Sequence, residues 1–158
     1  FTVQAKHNSP TVDSFGIAGD VAGFGVRLET KNSSEASKDV TFGSISKDVN
    51  GVALNYSWID ADANGLIGED DSAIFAVENA GSGDSNSQVS AKTSMAGNTV
   101  TVKAGTVGYA ATADLDYTQI AVSRSLASGA TLALTYTNKD TSAAAETKTF
   151  EADLSVKF

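Results

Sequence analysis

The strongest constraint on this chain is a strict two-residue alternation of apolar and polar side chains. At the C-terminal end Phe150, Ala152, Leu154, Val156 and Phe158 interleave with Thr149, Glu151, Asp153, Ser155 and Lys157. An extended strand turns that pattern into one apolar and one polar face, whereas a helix has no use for a period of two. The pattern recurs in Leu132, Leu134 and Tyr136, in Val52, Leu54, Tyr56 and Trp58, and in Phe24, Val26 and Leu28. It predicts about ten strands of roughly 8 to 12 residues, suited to crossing a bilayer at a tilt. The segment Val40 to Ser46 leaves open which of its faces is the apolar one.

Turn chemistry arranges these strands. Short turns are expected near residues 20–23, 47–51, 96–98 and 127–129, and longer polar connections near 8–13, 32–37, 60–86, 109–114 and 139–146. Tight turns at one end and long loops at the other predict an all-β fold, an antiparallel up-and-down transmembrane β-barrel occupying residues 1–158 as a single domain. Ser72 to Asn79 would suit a short helix or one more strand. A single strand there would reverse the order of short and long connections, so 60–86 is expected to be one long loop.

Composition removes several functional classes. With 11 Lys and Arg against 19 Asp and Glu, the net charge of −8 argues against a nucleic-acid partner. There is no Cys and one His, so disulfides, thiol chemistry and His-dependent triads lack their parts. The carboxylates have no activated nucleophile to work with, and the chain is not expected to be an enzyme.

The terminal run Phe150 to Phe158, the hairpin from Tyr117 to Tyr136 and the stretch from Asn8 to Val26 together resemble the Gram-negative general porins, in their C-terminal part. The resemblance implies a piece of a sixteen-stranded trimeric barrel in the bacterial outer membrane, passing small hydrophilic solutes and ions by passive diffusion. It also implies outer-membrane lipid and lipopolysaccharide as surroundings, a homotrimer, and Phe150, Leu154, Val156 and Phe158 as the signal read by the barrel-assembly machinery. Because the sequence starts at Phe1 without a leader, the C-terminal portion of a longer porin is preferred over a complete ten-stranded barrel.

If the apolar faces meet lipid, the polar faces line water. Arg27, Glu29, Lys92, Lys103, Glu151 and Asp153 are then the pore-lining candidates, since opposed charges across a wet lumen set ion selectivity. Cross-strand ion pairs that only keep the wall hydrated would place the same residues there.

One local motif stands apart. Residues 60–71 fit a calcium-loop spacing, with Asp60, Asp62, Asn64, the Leu66 carbonyl and Asp71 as oxygen ligands and Gly65 at the sharp turn. No helix precedes it, so it would not be an EF-hand, and an acidic surface loop is the alternative. Residues 60–86 hold seven carboxylates and no Lys or Arg, so −7 of the net −8 lies there. In a porin such a loop would fold into the lumen, cover the mouth or bind divalent cations bridging to lipopolysaccharide, favouring cations in each case. Calcium is the one cofactor to expect. A secreted β-sandwich binding or adhesin domain ordered by calcium is the competing reading.

Overall fold

The computed structural model describes residues 2–9, 12–33, 39–61, 85–109, 112–141 and 144–156. These form one sheet of ten strands in sequence order, each paired antiparallel with the next. The strands are β1 (Thr2–Ser9), β2 (Val12–Val21), β3 (Phe24–Ser33), β4 (Val40–Val49), β5 (Val52–Ala61), β6 (Ser85–Met95), β7 (Asn98–Gly108), β8 (Leu115–Ser125), β9 (Ala130–Thr141) and β10 (Thr147–Val156). Among the described residues β1 pairs only with β2 and β10 only with β9, so the sheet is open.

Three of the tight turns share one backbone solution. Ala22-Gly23, Asn50-Gly51 and Ala96-Gly97 place both central residues at positive φ, between 51° and 80°. That is the type I′ geometry whose twist matches the flanking strands. Asn50 and the glycines adopt it readily, while Ala22 and Ala96 do so against their own preference. At the third turn the Asn98 amide donates to the Met95 and Ala96 carbonyls, 3.3 Å each, and holds the chain reversal. The Asp48 carboxylate does the same at the second, accepting from the Gly51 N–H at 3.0 Å.

Strand number and the short turns follow the alternation, but several connections are shorter than expected. β1 runs to Ser9 and β2 starts at Val12, because pairing continues through a bulge between His7 and Ser9 despite the polar composition there. β3 and β9 likewise extend to Ser33 and Thr141. The backbone ladder outlasts the apolar pattern, so polar residues at the loop ends are still strand. Residues 62–84, and with them the helix-or-strand question at 72–79, lie outside the described residues.

Candidate functional site: a two-faced sheet

Register assigns every strand residue to one of two faces. On one face, which we call outer, the rows carry Phe15, Ile17 and Val21, then Phe24, Val26 and Leu28, then Val52, Leu54, Tyr56 and Trp58, and so on to Phe150, Leu154 and Val156. Of the nineteen large hydrophobic residues exposed among the described residues, eighteen lie on this face, the exception being Leu126 in a turn. Phe150 and Leu154 reach 67% and 65% exposure. Large apolar side chains left bare across nine strands, β2 to β10, reverse the ordinary arrangement of a water-soluble sheet.

The apolar stretch also runs obliquely. Its midpoint lies level with Ser57 on β2, with Asn55 on β5 itself, and with Val52 on β9, as traced through the paired registers. That drift is roughly 17 Å along the strands against about 34 Å across them, at ~3.4 Å per residue and ~4.8 Å per strand. The strands therefore lean about 27° from the normal to the apolar belt, approaching the tilt of barrel strands.

The inner face is polar along most of its area. Asn55 donates to the Ser57 hydroxyl at 2.6 Å, and Gln119 to the Thr137 hydroxyl at 3.2 Å. Its large apolar residues are gathered toward the long-loop end and are buried: Val40, Phe42, Ile59 and Ala61 in one cluster, Val107, Leu115 and Tyr117 in another with Tyr109 against it. Val40 and Phe42 point inward while Ile45 and Val49 point outward, so the strand whose apolar face was left open has an apolar half on each.

Each face contains a glycine lying under an aromatic ring. On the inner face Gly105 stands between Gln88 and Tyr117 in one row, and the missing side chain lets the Tyr117 ring cross it. The Tyr117 hydroxyl then donates to Gln88 Oε1 at 3.2 Å. On the outer face Trp58 lies over Gly43 toward Leu28 in the same manner and stacks on Tyr56 with ring centroids 5.6 Å apart.

All six residues expected to line a lumen fall on the inner face by register. Arg27 and Glu29 are neighbours on β3, with Nη2 and Oε2 3.1 Å apart. The Arg27 guanidinium lies 4.9 Å from the centre of the Phe42 ring, and Lys31 Nζ 5.9 Å from it. Lys92 stands opposite Thr101 and Lys103 opposite Ser90 on adjacent strands, whereas Glu151 and Asp153 lie on β10, opposite Thr135 and Ala133. The face thus brings together two groups, Arg27 with Glu29 and Lys92 with Lys103, and holds the β10 carboxylates apart from both. Phe42, Ser57, Asn86, Gln88 and Tyr117, buried on this face, were not among the candidates. Only the parity of their positions could have indicated them.

The calcium-loop residues are almost all beyond reach. Asp60 is exposed on the outer face near the end of β5, and Asp62, Asn64, Leu66 and Asp71 lie outside the described residues. Among the described residues there is no group of three or more side chains able to hold a metal. Of the expected assembly signal, Phe150, Leu154 and Val156 share the outer face, and Phe158 lies outside the described residues. Comparison with known proteins finds no matching family model and no matching curated relative.

Proposed function

We propose from the geometry that the chain forms wall of an outer-membrane porin, through which small hydrophilic solutes and ions diffuse passively. One observation carries this reading: the exposed large hydrophobic residues occupy one face of a ten-stranded meander, while hydrogen-bonding and charged residues occupy the other. Hydrocarbon is the solvent in which such an apolar face is stable uncovered, and a closed sheet is how strands satisfy their backbone there. The oblique belt and strands of 8 to 12 residues support the same reading.

In this account the sheet closes into a barrel within a trimer embedded in lipid and lipopolysaccharide. The β10 alternation serves as the assembly signal, and Arg27, Glu29, Lys92, Lys103, Glu151 and Asp153 face the water. The seven carboxylates of residues 60–86 would favour cations near the mouth, and calcium held by residues 60–71 would moderate that preference. A calcium-ordered β-sandwich would need a second sheet over the apolar face, and all ten described strands belong to one sheet.

The test is extraction followed by conductance. The protein is expected to partition with outer membranes, to need detergent for release, and to open ohmic channels in planar bilayers whose reversal potential in a KCl gradient favours K⁺. Release without detergent as a stable folded protein would overturn the reading.

A further inference from the structure

Lys47 is a charge that the pore reading leaves unexplained. It lies on the outer face of β4, between Ile45 and Val49 in the apolar row, where a cation is costly in hydrocarbon. Among the described residues it has no ion-pair partner. Its ammonium lies over the Phe24 ring of the neighbouring strand, 4.0 Å from the centroid. Beside it is an apolar hollow of about 270 Å³ bounded by Phe24, Ile45, Val49, Leu54, Tyr56 and Val89. Arg124, also on the outer face, differs on both counts: it is next to the last residue of β8, level with Asn98, and it is not among the residues bounding this hollow.

A hollow walled by branched and aromatic side chains with one cation at its border fits an amphiphile, apolar along its length and anionic at one end. We propose that it seats an acyl chain of an anionic glycerophospholipid, with the phosphate on Lys47. The lysine stem lets the ammonium reach toward the Asn50-Gly51 turn, and the Phe24 ring holds it to one side. A zwitterionic head group would bring its own ammonium against Lys47, so a net-negative head group is selected. The proposal rests on the reading that the outer face meets lipid.

Trp58, the single tryptophan in the sequence, stacks on Tyr56 at the hollow's wall and reports its occupancy. The full chain is reconstituted into phosphatidylcholine vesicles containing acyl-brominated phosphatidylglycerol or acyl-brominated phosphatidylcholine at equal mole fraction. The anionic lipid is expected to quench Trp58 more strongly, and Lys47→Gln to abolish that excess while Arg124→Gln leaves it. Equal quenching by both lipids in the unaltered protein, or an excess that survives Lys47→Gln, overturns the lipid site. Lipid-independent loss of oligomer on Lys47→Glu, with no preference between the lipids, would assign the patch to a second copy instead. Failure of either lipid to quench Trp58 would overturn the membrane reading itself.

Discussion

The two faces of the sheet use the same kinds of apolar residue in opposite ways. On the inner face Phe42, Ile59, Val107 and Leu115 are buried, and the open area around them is filled by Ser, Thr, Asn, Gln and charge. On the outer face Leu54, Val102, Ile120 and Leu134 are each more than a third exposed. Burial from water is therefore not what distinguishes the apolar positions of this protein. The inner ones are stabilised by packing on one another, the outer ones by whatever solvent the face meets.

That contrast can be broken most strongly from the inside. Phe42 is 2% exposed, packs in the cluster with Val40, Ile59 and Ala61, and carries Arg27 and Lys31 over its ring. Phe42→Ala leaves a cavity and should cost about 3 to 5 kcal/mol, measured by urea unfolding of the protein in detergent. A change below about 1 kcal/mol would mean that the inner cluster is not a packed core.

A charge placed on each face tests the difference in solvent. Leu54→Lys on the outer face should lower stability in bilayers by about 2 to 4 kcal/mol. Ser90→Lys, on the inner face directly opposite Lys103, should cost about 1 kcal/mol or less, most of it like-charge repulsion. Vesicle refolding yields and unfolding midpoints for the two variants measure the asymmetry. Equal effects would remove the reason for calling one face lipid-exposed.

The two glycine and aromatic pairs sharpen the comparison at smaller cost. A Cβ at Gly105 would meet the Ser87 backbone carbonyl as well as the Tyr117 ring, and the backbone cannot swing away. At Gly43 the obstructing atoms are the Trp58 ring and the Leu28 side chain, which can rotate outward. Gly105→Ala should destabilise by about 1 to 3 kcal/mol, and Gly43→Ala by less while changing Trp58 emission. The reverse order would place the tighter packing on the outer face.

Much of this architecture is legible in the alternation because a period of two states strand and face together. The six inner-face charges follow from parity alone, as do Trp58, Tyr136 and Phe150 on the opposite face. Parity is silent where both faces are apolar in turn, as in β4, where Val40 and Phe42 face one way and Ile45 and Val49 the other. It is silent also about neighbours: Tyr117 reaching Gln88 across Gly105, and Lys47 over Phe24, depend on which strands stand in register. Residues 60–71 have a spacing that suggests calcium, but spacing carries no information about whether the oxygens converge.

The smallest effect expected concerns the edge where the outer face meets the long connections. Glu146 accepts from the Lys148 ammonium and from the Asn138 amide, each at 2.7 Å. The Lys148 contact first, and the Asn138 hydrogen bond second, hold the Glu146 carboxyl below its ordinary value of 4.5. A carboxylate whose folded value is depressed contributes stability that is present above the unfolded value and lost as pH falls through the folded one. The contribution should therefore be complete at neutral pH and disappear below the ordinary carboxylate range. The Glu146 and Lys148 side chains are both solvent-accessible, so screening keeps the effect small. Amide exchange at the loop end of the β9 and β10 pair should be faster in Glu146→Gln than in the unaltered protein at neutral pH, after correction for the intrinsic rate. The two should converge as acid protonates Glu146. Added salt should shrink the difference at neutral pH, and exchange curves that coincide at every pH would show that the ion pair does not restrain this edge.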